Sequence, residues 1–387
     1  TLAMGGFAIG TAEFVTMGLL PQIASGVDVS IPTAGHVISA YAVGVVIGAP
    51  VLAFLGASLP RRGLLVALMV AYAVGNAASA LASSFGLLSL ARVATGFPHG
   101  AYFGVASLVA ASMAPPARKG RAVAMVMLGL SVANVVGVPA ATWLGQMLGW
   151  RSAFWAVTAL ALLTALLVRL FVPEIPGDEA ATGRRELQAF REPQVWLTLL
   201  AGAIGFGGMF AVYSYIAPTV TEVGGLPEGA VPVFLLAFGL GMVVGTWLAG
   251  ELADRSVFRS LLGSALGLVV VLLVFAAVAP WGWALLPVGF AITVLGSVLV
   301  VNLQLRLMDV AGDAQTIGAA SNHASLNIAN ALGAWLGGVV ISAGYGYRAT
   351  GVVGAALALG GFAVLVVAAA TQRRRPPARA IDVVRTD

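Results

Sequence analysis

Pro173-Glu-Ile-Pro-Gly-Asp-Glu-Ala-Ala-Thr-Gly-Arg-Arg-Glu-Leu-Gln-Ala-Phe-Arg-Glu-Pro-Gln194 resembles no other internal stretch of this chain. Eight of its 22 residues are charged, whereas Asp, Glu, Lys and Arg make up 9% of the 387 residues. The 172 residues before it and the 193 after it are almost continuously apolar. A polar interruption near the middle of such a chain predicts two hydrophobic halves joined by a solvated connector. The halves are expected at 1–172 and 195–371, the connector at 173–194 and a polar tail at 372–387.

Composition sets the solvent. The chain is 60% hydrophobic, with 49 glycines and a mean hydropathy of +0.99. A soluble domain carries about a quarter charged residues. Repeated runs of roughly 20 apolar residues match the hydrocarbon thickness of a bilayer. They lack the alternation of barrel strands and are too long for them. The fold class is therefore an all-α polytopic membrane protein. Twelve spans are expected at 2–24, 33–57, 63–82, 86–112, 121–147 and 152–172, then at 195–218, 230–252, 260–279, 283–307, 316–342 and 348–371. Short connections make neighbouring spans antiparallel. The first run contains Glu13 and no cleavage pattern follows it, so it reads as a span rather than a signal peptide. The sequence starts at Thr1, and a short preceding piece is expected.

The net charge of +5 and pI near 10.0 raise the question of a nucleic-acid partner. The basic residues sit in short loops, where they act as topology determinants instead, so no nucleic acid is expected. With the N-terminus inside, 17 of the 20 Lys and Arg residues fall on the cytoplasmic side, among them Arg61, Arg62, Arg118, Lys119, Arg121, Arg184, Arg185, Arg255 and Arg306. Arg151 and Arg348 fall outside, and Arg92 lies within a span. This predicts a cell-membrane (inner-membrane) protein with both termini cytoplasmic. The absence of cysteine excludes disulfides and thiolate metal sites.

An internal repeat gives the domain relation. Ser131-Val-Ala-Asn134-Val-Val-Gly137, ending in Gly149-Trp150-Arg151, recurs as Asn327-Ile-Ala-Asn330-Ala-Leu-Gly333, ending in Gly346-Tyr347-Arg348. The offset is 196 to 197 residues, and Gly44-Val-Val-Ile-Gly48 recurs as Gly241-Met-Val-Val-Gly245 at 197. Spans 2 and 5 thus correspond to spans 8 and 11. Repeats an even number of spans apart share one orientation, which gives two pseudo-symmetric six-helix bundles about an axis along the membrane normal.

These residues resemble the major facilitator superfamily over nearly the whole chain. Gly250-Glu-Leu-Ala-Asp254-Arg255 is similar to its cytoplasmic loop motif. Arg92-Val-Ala-Thr-Gly96-Phe-Pro98-His99-Gly100 resembles the span-4 motif of proton-driven members. Gly129 through Gly137-Val-Pro139 resembles the span-5 antiporter motif, with Ala141 where a glycine is usual. Thr11-Ala-Glu13-Phe14 and Gly18-Leu-Leu-Pro21 narrow the likeness to the drug:proton antiporter branch, with its arabinose and chloramphenicol exporters. By the 197 offset, Asp254 maps to Ala57 and Arg255 to Ser58, so the first-half copy of the loop motif has lost its acid. The resemblance implies a proton-relay part for Arg92, and gating parts for Gly96, Pro98, Gly137, Pro139, Gly250, Asp254 and Arg255.

Glu13 is the sharpest candidate for chemistry. It lies about 11 residues, or roughly 16 Å, into span 1, near the midplane. A carboxyl there costs about 2.5–3.5 kcal/mol and usually faces a cavity or a partner. It is a candidate for taking and releasing a proton during turnover; a structural bond to a neighbouring helix is the alternative. Arg92, Gly96, His99 and Phe103 recur at steps of four, three and four and share a helix face. Arg92 does not deprotonate, so it serves to hold a carboxylate or backbone carbonyls. His99 and His323 are either satisfied hydrogen-bonding residues or proton-coupling groups. Pro98 predicts a kink beside His99.

Amides and aromatics complete the list of candidates. His323, Asn327 and Asn330 form a polar stripe on span 11, Asn134 is the repeat mate of Asn330, and Asn302 and Gln304 end span 10. They read as substrate contacts or as helix–helix glue. Phe206, Phe210, Tyr213, Tyr41, Tyr102 and Phe103 are candidate walls of an amphipathic pocket, or plain packing.

There is no phosphate loop, metal spacing or local nucleophile motif, so neither a cofactor nor an enzyme is expected. The expected function is alternating-access transport by a monomer, with protons and a small amphipathic drug or sugar as partners in exchange. The alternatives are a proton-coupled importer, and a non-transporting membrane enzyme or receptor. The connector reads as a tether that lets the halves rock, with a short surface helix near 184–190.

Overall fold

A bilayer offers no hydrogen-bond partner to the backbone, so each crossing satisfies its amides within a helix. The computed structural model describes residues 1–29, 31–177, 187–227 and 230–373. Among these, twelve helical segments follow one another. The first six are α1 (Leu2–Gly18, continued as Leu20–Gly26), α2 (Ile31–Gly56), α3 (Arg61–Leu81), α4 (Phe85–Met113), α5 (Lys119–Val132, continued as Val138–Leu148) and α6 (Trp150–Phe171). The second half contains α7 (Pro193–Gly205, continued as Gly207–Tyr213), α8 and α9 (together Val231–Val278), α10 (Leu285–Val310), α11 (Gln315–Val340) and α12 (Ala349–Arg373). No strand occurs among the described residues. The fold is two six-helix bundles.

Several spans depart from single rods. Span 7 is broken at Phe206 and wound into a π turn at Thr219–Val223. α5 passes through a π turn at Ala133–Gly137, immediately before Pro139, whose missing N–H loosens the ladder there. α8 and α9 meet without a loop at Ser256, whose φ of −171° and ψ of 105° are extended backbone inside an otherwise helical run. α4 runs as one helix through Pro98.

Large apolar side chains lie exposed around the perimeter, among them Leu90, Leu148, Leu170, Trp247 and Trp335. In water such a belt would drive association; in a bilayer it is ordinary. One core is built around Ile9, Tyr72, Phe103 and Val157 and continues across the interface to Ala249, Val298 and Ala319; the other, in the second half, is built around Phe234, Phe238, Leu268 and Phe275.

The halves meet mainly through α5 on α8 and through α2 and α4 on α11. Their charged joints cluster on the face where the linker emerges. The Gly120 N–H donates to Asp254 Oδ1 (2.9 Å), and Arg121 pairs with Glu251 (2.6 Å) and Asp254 (3.1 Å). Gln304 donates to Ser107 Oγ at 3.2 Å. The far stretch of α5, Val138–Leu148, packs on α1 and α6 of its own half. Closure therefore sits at the linker face.

The start of the linker is docked rather than freely solvated. The Arg61 N–H donates to the Ile175 carbonyl (3.0 Å), and Arg62 pairs with Glu174 (2.7 Å). Its far end forms a 3-10 turn at Leu187–Arg191. The helix expected near 184–190 falls partly outside the described residues, as do Arg184 and Arg185 and the tail beyond Arg373.

Candidate functional site

The cavity between the halves is assembled from seven helices at mid-span. α1 brings Glu13 and Phe14, α4 brings His99, and α5 brings Met127, Ser131 and Asn134. Across from them stand Phe206, Met209, Phe210 and Tyr213 of α7, Met242 and Thr246 of α8, and Ser297 of α10. His323, Asn327 and Asn330 of α11 close the ring. The space measures about 80 Å³ for water-sized occupants. Pockets for drug-sized ligands run from about 300 to 1,000 Å³. A drug-sized substrate therefore needs more room than this arrangement offers.

The wall is mostly apolar, with aromatic rings in T-shaped and stacked contact. Phe206 and Phe210 lie 5.2 Å apart, Phe210 and Tyr213 6.4 Å, and Tyr213 and Phe238 5.5 Å. Polar side chains interrupt it. Ser131 and Thr246 join the halves through their hydroxyls at 2.9 Å. Asn134 and Asn330, the repeat mates, both face the space. Glu13 is the only carboxyl on the wall.

Behind Glu13 lies a buried cation. Arg92 is 1% exposed, and its charge acts on the Glu13 carboxyl, yet no ion pair joins the two among the described residues. Its guanidinium stacks on the Tyr41 ring at 4.3 Å and gives one long bond, 3.4 Å, to the Ala12 carbonyl. The Nε and Nη1 donors have no partner. A buried guanidinium with two idle donors is costly unless another state of the protein uses them.

A chain of side-chain bonds starts beside this cation. Tyr72 Oη meets the Ile9 carbonyl (3.3 Å) and Tyr41 Oη (3.2 Å). Tyr41 Oη meets His99 Nδ1 (2.9 Å), and His99 Nε2 meets His323 Nδ1 (3.2 Å) across the two halves. Phe103 stacks flat on His323 at 4.2 Å. Glycine makes this crossing possible, since a Cβ on Gly100 would sit 2.5 Å from Ala49 Cβ and 3.0 Å from the Ala320 carbonyl.

The structure gathers Glu13, His99, His323, Asn134, Phe206, Phe210, Tyr213, Asn327 and Asn330 around one space. It puts the other candidates elsewhere. Tyr41, Tyr102 and Phe103 are fully packed behind the wall. The Tyr102 hydroxyl donates to the Leu2 carbonyl. Asn302 donates to the Val298 carbonyl on its own helix, and Gln304 reaches Ser107, so both amides are packing and glue.

Of the motif residues, Gly96 packs against the Tyr41 carbonyl, Gly137 against Thr11, and Gly250 against Arg121 and Ala124. Asp254 holds the first turn of α5, while Pro139 and Arg255 are exposed. Sequence reasoning passed over Tyr72, the Ser131–Thr246 bridge and the Arg121–Glu251 pair. A tyrosine inside an apolar span was the available signal for the first, and nothing local marked the others.

Residues 2–323 match the profile of the Major Facilitator Superfamily. The inner membrane transport protein YdhP of Escherichia coli (strain K12) is 42% identical over 368 residues, covering 95% of this chain and 94% of that protein. A chloramphenicol resistance protein of Streptomyces lividans is 36% identical, covering 86% of each. Among solved structures, the fucose:proton symporter FucP of E. coli superposes with a TM-score of 0.77 over 95% of this chain and 97% of that one; at 16% identity it speaks for the fold alone. With two bundles about a central cavity and a family profile across most of its length, the chain belongs to the Major Facilitator Superfamily and is a multi-pass inner-membrane transporter, not an enzyme.

Proposed function

We propose that this transporter exports a small amphipathic compound, a chloramphenicol-like drug or a sugar, in exchange for protons. The linker face is the cytoplasmic face in this reading, which rests on the basic residues that crowd it. The observation that carries the proton reading is the separation of Glu13 from Arg92. A deprotonated Glu13 has two idle Arg92 donors to turn towards, whereas a protonated Glu13 has no charge to bring there and stays on the cavity wall. Substrate and proton thus compete for the same wall, as antiport requires. Asn134 and Asn330 supply hydrogen bonds to a polar edge, and Phe206, Phe210 and Tyr213 supply an apolar face. The relative from S. lividans, named for chloramphenicol resistance, supports testing that class first.

The test is flux in proteoliposomes under an imposed pH gradient, with chloramphenicol and pentoses as probes. Counter-directional proton movement is expected, and Glu13→Gln should reduce gradient-driven flux by at least about tenfold while leaving thermal stability intact. Proton movement in the same direction as the substrate would make the protein an importer of symport type. Undiminished flux in Glu13→Gln would remove Glu13 from the mechanism.

A further inference from the structure

The Tyr72–Tyr41–His99–His323 chain has a direction. A carbonyl only accepts, so Tyr72 gives its one hydrogen to Ile9. Tyr72 Oη must then accept from Tyr41, and Tyr41 Oη must accept from His99 Nδ1–H. A neutral His99 protonated at Nδ1 has a bare Nε2, which accepts from His323 Nδ1–H. All four bonds can be made at once by neutral side chains in this arrangement alone. It leaves His323 Nε2 as an unprotonated nitrogen, buried and without a partner, on a residue of the cavity wall.

We propose that His323 Nε2 is a proton-accepting atom of the transporter, and that a proton bound there favours the state in which the two halves have parted at the His99–His323 bridge, because the new N–H is buried without an acceptor. This rests on the alternating-access reading above. The proton comes from cavity water and adds to the Nε2 lone pair, which raises the charge of the junction by one. No acceptor among the described residues reaches the new N–H, because His323 Nε2 has no partner. The groups facing the pair are Glu13 on α1, Tyr41 on α3's neighbour α2, Tyr72 on α3, Arg92 on α4, and Tyr213 on α7 across the cavity. Arg92 is already the cation of this region, stacked on the Tyr41 ring, and Glu13 is the carboxyl of the cavity wall among the described residues. An imidazolium whose new N–H has no acceptor is costly to bury, so it favours parting of the halves, after which water on the linker side takes the proton back.

The chain contains no cysteine, so spin labels can be placed cleanly. Labels at Ala117→Cys and Arg259→Cys, both exposed at the linker face on opposite halves, report closure by electron–electron distance measurement. In the wild-type background the closed-to-open ratio should fall about tenfold from about pH 8 to about pH 5. His323→Phe, which keeps the stacking on Phe103, and His99→Gln should both lose this dependence, and Glu13→Gln should keep it. A ratio that does not move with pH in the wild type overturns the proposal. So does a pH dependence that survives in both histidine variants or vanishes only in Glu13→Gln.

Because a variant can fail to fold, nitrogen NMR of the wild-type protein with labelled histidine gives a second readout on its three histidines. An unprotonated Nε2 and protonated Nδ1 on His323 at about pH 8 are expected, and the opposite tautomer overturns the assignment. Neither measurement needs a substrate, so a failure of the export reading leaves both interpretable.

Discussion

At the linker face the first turn of α5 meets a carboxylate, whereas the first turn of α11, its repeat mate, meets alanines. Asp254 accepts the Gly120 N–H at 2.9 Å and lies beside Arg121, so the positive end of a helix dipole faces a negative charge. On the other side Ala57 and Ser58 occupy the corresponding positions. There Ala314 and Ile317 cluster with Ala53 of α2, Ala189 of the linker and Val195 at the start of α7. The same architectural joint is thus closed twice, once by charge and once by apolar contact. The linker start also clips onto the acid-less loop, through Arg61 and Arg62. A lost motif residue has been offset by neighbouring chain, and pseudo-symmetry of backbone does not imply symmetry of chemistry.

That difference can be broken one side at a time. The apolar side should fail to bulk. Gly100→Val, placed where even a Cβ lies 2.5 Å from Ala49, should cost about 3 kcal/mol, the upper end for overpacking, and abolish the closed state in spin-label distances. The charged side should tolerate bulk and fail to neutralisation. Asp254→Asn removes a charge-assisted bond to a helix terminus and should shift the closed-to-open balance by about 1.5–3 kcal/mol, read with the same labels.

Salt sharpens the contrast further. Raising ionic strength to about 1 M should weaken the half-exposed Arg121–Glu251 pair by under about 1 kcal/mol in the wild type. Glu251→Gln should shrink the salt effect to what the remaining Arg121–Asp254 pair contributes. Smallest of all, Glu174→Ala should change thermal stability by under about 0.5 kcal/mol, because its pair with Arg62 is largely exposed. A larger loss would mean that the clipped linker helps to hold the face shut.

The fold was legible because a bilayer imposes length, and a duplicated gene leaves an offset. Hydropathy locates spans, and Asn134 against Asn330 reveals the repeat. Part of the site was legible for a similar reason: Glu13, His99 and His323 are polar where polarity is expensive, so each had to face something. What each faces was not readable. His99 and His323 are 224 residues apart, and their contact depends on the rotation of α4 against α11. Asn302 and Gln304 look like cavity residues by composition, yet their helix presents them to α4 and to its own backbone. Tyr41 and Tyr102 looked like pocket walls, but neighbouring carbonyls and hydroxyls claimed their polar ends. At Ser256 the hydroxyl accepts the Arg259 N–H at 3.3 Å and caps the helix that follows, a break that no hydropathy window reports.

The Tyr72 hydroxyl that ends on the Ile9 carbonyl has a consequence for energy conservation. A row of hydroxyls and imidazoles relays protons only if its last member can hand one on, and a peptide carbonyl has none to give. The row is a cul-de-sac: it can lend or borrow one charge at its histidine end, but it offers no through-route across the membrane. In the proton exchange proposed above, this row would conduct no proton across the membrane while the halves are still.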